Sequence, residues 1–114
     1  MRPGREFLKG CTQTVVLSLL SERSRYGYEL SEEIHRRTGG ILDLPQGTLY
    51  PLLYTLERKG LIEGRWQEAK EGRARKYYAL TAKGRRTGAS DVAQWTDLAR
   101  GMARILGGRL APVR

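Results

Sequence analysis

Between Pro45 and Gly60 the chain spaces Leu49, Leu52, Leu53 and Leu56 as one face of a helix, with Tyr50, Tyr54 and Arg58 in a second row at steps of four. Gly60 after Lys59 is a helix stop. Pro51 is tolerated only near a helix start, because in a first turn its missing N–H would have had no partner anyway. The helix is therefore expected to begin at Gly47 or Thr48. A short helix with a leucine side and a polar side needs a core beneath it and leaves its N-terminal tip open. There Gln46, Gly47, Thr48 and Tyr50 meet unpaired N–H groups and a favourable dipole, a setting suited to phosphate.

The flanking sequence supplies that core. From about Glu6 to Leu20, Leu8, Cys11, Val15 and Leu19 form one row, with Thr12, Val16 and Leu20 beside it, which predicts a mostly buried first helix. Ser24 is the expected N-cap of a second helix, on which Tyr26, Leu30 and Ile34 share a face and which ends at Thr38-Gly39-Gly40. Gly27 near its start reads either as a close approach of backbone or ligand or as a glycine at a frayed end. After Gly60 the period changes to that of two strands, Leu61–Glu68 and Lys76–Thr81, joined by a basic, glycine-containing turn. Three helices followed by a ribbon is the order of a winged helix-turn-helix. The fold class expected is mainly α with a small β-hairpin. Residues 1–82 form the binding domain, 83–108 a C-terminal helix and 109–114 a frayed tail.

That last helix is capped by Thr81 and stopped by Gly107-Gly108. Val92, Trp95, Ala99, Met102 and Leu106 alternate steps of three and four along it, and Leu98 and Ile105 widen the stripe. The stripe either folds back on its own domain or pairs with a second copy, and its heptad character favours a homodimer.

Composition narrows the chemistry. A net charge of +9 over 114 residues directs the chain toward an anionic partner, nucleic acid first. One cysteine, Cys11, and one histidine, His35, exclude an intrachain disulfide and a conventional four-ligand zinc site. Cys11 reads as a small buried hydrophobe and His35 as a surface group at a helix end. No nucleophile lies beside a base and no phosphate-binding Gly-Lys-Thr loop occurs, so neither an enzyme nor a cofactor is expected. Without a membrane-spanning run or a signal segment, the expected location is cytoplasmic.

The candidate interface with double-stranded DNA comprises Gln46, Gly47, Thr48 and Tyr50 at the helix tip and Tyr54 and Arg58 along its side. Lys70, Arg73, Arg75 and Lys76 join it from the wing. Glutamine pairs bidentately with adenine in the major groove, whereas hydroxyls and basic groups hold phosphates or enter the minor groove. Each residue type also has a second reading. Tyr50 or Tyr54 could pack beneath the wing, Thr48 could be an N-cap, and Arg58 could merely offset the helix dipole. A winged-helix protein-interaction module with an acidic partner is the alternative function.

Tyr26-Gly27-Tyr28-Glu29-Leu30, Gly47-Thr48-Leu49-Tyr50-Pro51-Leu52-Leu53, Leu56-Glu57, Gly60-Leu61-Ile62, Gly72-Arg73, Lys76-Tyr77-Tyr78 and Leu80-Thr81-Ala82-Lys83-Gly84 together resemble PadR-type transcriptional regulators of the small, single-C-terminal-helix type. The likeness runs over roughly residues 6 to 86. It implies a winged helix-turn-helix repressor, dimeric through its C-terminal helix and binding an inverted-repeat operator. Gln46, Thr48 and Tyr50 would belong to the recognition helix, and Arg73, Arg75 and Lys76 to the wing. Some members of the family release DNA on binding a small, often aromatic, effector near the dimer interface. That makes Trp95 a candidate effector contact, with a place in the dimer seam as its other reading.

Overall fold

The computed structural model describes residues 10–68 and 72–110. Four helices and three strands follow in order: α1 (Thr12–Glu22), β1 (Arg25–Tyr26), α2 (Gly27–Arg37), α3 (Gln46–Arg58), β2 (Ile62–Glu68), β3 (Ala74–Leu80) and α4 (Ala82–Leu106), with a closing 3-10 turn at Gly107–Arg109. The start of the first expected helix, Glu6 to Lys9, lies outside the described residues. The chain is mainly α, as its periodicity predicts, and has the winged helix-turn-helix order. Its sheet holds three strands rather than two, in the order β1-β3-β2 and antiparallel throughout.

Val16, Leu17 and Leu20 of α1, Leu30 and Ile34 of α2, Leu49, Leu53 and Leu56 of α3, and Leu61 and Ile62 at the root of the wing close one buried cluster. Each such side chain contributes about 1.5–3 kcal/mol by leaving water. The leucine face expected of α3 thus forms the floor of the domain, with Leu52 packed at its margin.

Local starts differ from expectation in two places. Ser24 does not cap α2: Tyr26 is the N-cap residue, with its backbone N–H donated to Glu29 Oε1 at 3.2 Å, because Arg25 and Tyr26 are first drawn into the sheet opposite Tyr78 and Tyr77. Helix α3 starts at Gln46, with the Pro45 carbonyl accepting from the Thr48 and Leu49 N–H groups at 2.9 Å each. Pro51 is therefore the sixth residue of the helix, in its second turn. The carbonyl its ring must clear belongs to Gly47, the residue four earlier. Thr48, three residues past the cap, is not an N-cap.

Arg25 is the one buried charged side chain among the described residues, 3% exposed. Its Nε donates to the Leu19 carbonyl at 3.3 Å, and its two terminal nitrogens lie 2.8 Å from Glu22 and 3.9 Å from Glu33. Arg37 bridges the same two glutamates at 2.6 and 2.8 Å, tying α1 to α2. Hydrogen bonds from Arg36 and then Arg37 hold the Glu33 carboxyl down at about 2. A guanidinium this deep is tolerated only when its donors are met.

Helix α4 leaves this core after two close contacts. Thr81 Oγ1 accepts from the Gly84 N–H at 3.0 Å, the expected cap, while Gly84 and Gly88 are buried against Leu61 and Leu17. Asp91 then accepts from Gln13 at 2.9 Å. Beyond it the apolar stripe is turned largely to solvent, with Val92, Trp95, Leu98, Met102 and Ile105 exposed and Leu106 half-buried. Cys11, at the head of α1, is half-buried, and burial pushes its thiol up. His35 stays exposed at the end of α2, 3.7 Å from Asp43.

Candidate nucleic-acid interface

The N-terminal half of α3 and the wing form one continuous surface. Gln46, Gly47 and Thr48 are exposed on the first turn. Tyr50 follows at 45% exposure, Tyr54 at 63%, and the Arg58 guanidinium lies 5.9 Å over the Tyr54 ring. Neither tyrosine is buried beneath the wing. Tyr50 instead rests on the start of α2: a Cβ placed on Gly27 would lie 2.7 Å from its hydroxyl oxygen and 2.8 Å from Cζ. The close approach at Gly27 is therefore that of the Tyr50 side chain, and it sets how the two helices of the helix-turn-helix meet.

Wing residues take up distinct positions. Arg73 is exposed beside Gly72, whose φ of +80° makes the turn that glycine adopts without strain. Lys70 lies outside the described residues. Arg75 is half-buried with its guanidinium 4.7 Å above the Tyr26 ring, and Tyr26 in turn meets Tyr77 edge-on at 5.3 Å. Lys76 lies across the sheet toward α3, where its Nζ is 3.4 Å from Glu57 Oε1 and 5.5 Å over the buried Tyr78 ring. Burial pushes the Tyr78 phenol up. Tyr26, Tyr50, Trp66, Arg75 and Tyr78 line a cleft of about 390 Å³ between α3 and the wing, floored by Gly27. Trp66 and Tyr26 carry its aromatic rim, a role that sequence reading missed. The cross-strand register, with Trp66 opposite Lys76, was the signal that could have found Trp66.

At the far end, Trp95 lines a hollow of about 250 Å³ with Gln13, Thr14, Asp91 and Gln94. Among the described residues no group of three or more histidine, cysteine or carboxylate side chains could hold a metal ion. Among them, too, no helix is long and apolar enough to cross a membrane.

Residues 16–90 match the model of the transcriptional regulator PadR-like family. The chain belongs to the PadR-like family. Individual relatives align over most of their length. The transcriptional regulator Rv3488 of Mycobacterium tuberculosis is 34% identical over 105 residues, 92% of each chain. A PadR-like transcriptional regulator from Bacillus cereus superposes with a TM-score of 0.80 at 30% identity, over 90% of this chain and 98% of its own. A PadR family regulator from Eggerthella lenta does so at 0.76 and 33%, over 90% and 88%. This PadR-like protein is thus a transcriptional regulator, a class of DNA-binding proteins rather than of enzymes.

Proposed function

We propose that this PadR-like chain is a homodimeric repressor that binds an inverted-repeat operator. Helix α3 reads the major groove, the wing tip holds the flanking backbone, and the α4 stripe joins the two copies. The observation that carries this reading is the joint exposure of Gln46, Gly47, Thr48 and Tyr50 at the start of α3, next to a wing that projects Arg73. Gln46 is the base-reading group in this arrangement, and Tyr50, Tyr54, Arg58, Arg73, Arg75 and Lys70 are phosphate or minor-groove groups. Release by a small aromatic effector is supported by Trp95, whose indole borders an open polar hollow.

Capture of genomic fragments followed by mobility shifts tests the reading directly. The expected fragments carry inverted half-sites about 34–36 Å apart or a multiple of that. Equal affinity for random DNA at physiological salt would overturn specific repression. Replacing both Arg73 and Arg75 by alanine should lower the slope of log affinity against log salt by about 1.8, roughly 0.9 per phosphate contact. If charge reversal at these positions left DNA binding intact but broke a protein complex, the interaction-module reading would replace this one.

Gly27→Ala separates fold from recognition. The added methyl first meets the outer end of the half-exposed Tyr50 ring, which can swing into solvent, so the thermal midpoint should shift by less than about 5 °C. Operator affinity should fall about tenfold, because Tyr50 leaves its seat at the helix tip. An unchanged affinity would remove Tyr50 from the interface.

A further inference from the structure

Glu57 is an acidic group on the α3 and wing surface, where a phosphate backbone would approach, and both its carboxylate oxygens are engaged. Strand β2 is an outer strand of the sheet, so alternate N–H groups face away from β3 and need partners. Glu57 Oε2 accepts from one of them, the Gly64 N–H, at 3.2 Å, and Oε1 meets Lys76 Nζ at 3.4 Å. Lys76 reaches Glu57 by lying across Gly64. A Cβ on Gly64 would overlap Lys76 Cε and stand 3.2 Å from its Cγ and Cδ. The register explains the geometry: Gly64 pairs with Tyr78 and Trp66 with Lys76, so all four share the face of the sheet on which the lysine stem lies. About a third of each charged side chain is exposed, which leaves the pair less screened than one fully in solvent.

The geometry points to a strut: Glu57 and Lys76 fix the pitch of the wing against the recognition helix, and Gly64 is glycine so that the lysine can cross. Resting on the DNA-binding reading above, this makes Glu57 and Lys76 positioning residues that present Arg73 and Arg75 to the backbone. Lys76 spends its charge on Glu57 and not on a phosphate.

The salt dependence of binding to a captured operator fragment distinguishes the two roles. Lys76→Met keeps the stem and removes the charge, and Glu57→Gln keeps the shape and removes the partner. Each should weaken binding about tenfold while leaving the slope of log affinity against log salt within about 0.3 of the wild-type value. The exchanged pair, Glu57→Lys with Lys76→Glu, should recover most of that loss. If instead Lys76→Met lowers the slope by about 0.9, the value for one lost phosphate contact, and Glu57→Gln tightens binding by removing a repulsion, the strut is overturned. Amide hydrogen exchange in the DNA-free protein supplies a reading independent of DNA. The Gly64 amide should exchange at least tenfold faster in both single variants and stay fast in the exchanged pair, where the lysine at position 57 has no oxygen to accept it. Unchanged exchange in both would overturn the strut even with binding intact. Failure of the wild-type chain to bind any fragment would instead remove the DNA-binding reading and leave the exchange rates to decide the strut.

Discussion

Gly84→Ala should lower the thermal midpoint by roughly 12–25 °C, corresponding to about 3 kcal/mol for a domain of this size. The added Cβ would collide with the Leu61 carbonyl oxygen, 2.8 Å from the carbonyl carbon and 3.2 Å from Cα. Inserting a methyl into a packed core costs about 1–3 kcal/mol when side chains can yield. Here the obstacle is backbone, and it is already committed. The same Leu61 carbonyl accepts the Thr81 N–H at 3.1 Å, Thr81 Oγ1 donates to the Gly60 carbonyl at 2.6 Å, and Lys83 Nζ reaches the Lys59 carbonyl at 2.8 Å. Moving Leu61 aside breaks the joint between the end of α3, the root of the wing and the start of α4. Gly88→Ala provides the graded comparison. Its Cβ would stand 3.3 Å from Leu17 Cβ, a tight contact with a side chain, and the gain of up to ~1 kcal/mol in helix propensity offsets much of the strain. Urea or thermal unfolding of both variants at one fixed protein concentration checks the order. A Gly84→Ala midpoint equal to wild type would mean that α4 does not dock against Leu61 in solution.

What could be read from residue spacing was whatever depends on neighbours in the chain. The leucine row of α3, the stop at Gly60 and the Thr81 cap follow from local rules, and each is where those rules put it. Strand β1 does not follow from them. Two residues carry no period, and only pairing with Tyr77 and Tyr78, some fifty positions later, makes Arg25 and Tyr26 a strand. That same pairing moved the start of α2 from Ser24 to Tyr26. Arginine is a residue of surfaces, so the burial of Arg25 became visible only when α1 and α2 brought Glu22, Glu33 and the Leu19 carbonyl around it. The candidate interface divides in the same way. Gln46, Thr48 and Arg73 are exposed by their positions on a helix tip and a turn. Lys76 is basic and sits in the wing by sequence, yet its charge is turned toward Glu57, a contact nineteen residues away that no local pattern encodes.

Replacing Leu98 and Ile105 together by glutamate should convert the protein to a monomer and weaken operator binding by two orders of magnitude or more. The two side chains are 53% and 76% exposed on α4 and belong to no contact in the buried core, so the domain itself has nothing to lose. About 1.5–3 kcal/mol accompanies the full burial of each such side chain, and a two-fold seam counts every substitution twice. Even half of that burial over four side chains amounts to roughly 3–6 kcal/mol of association energy, or about 10²–10⁴ in the dimer dissociation constant. The added carboxylates oppose pairing further, since a two-fold axis brings like charges along the seam together. DNA binding should fall with the dimer, because a repressor reading two half-sites gains from the second only while the two copies are joined. Sedimentation at micromolar concentration, circular dichroism and a mobility shift on the captured operator form the complete test: monomer, unchanged helix content and lost operator complex. A double variant that still sediments as a dimer would put the seam elsewhere on the molecule. A monomeric variant with wild-type operator affinity would show that a single winged domain is sufficient for recognition.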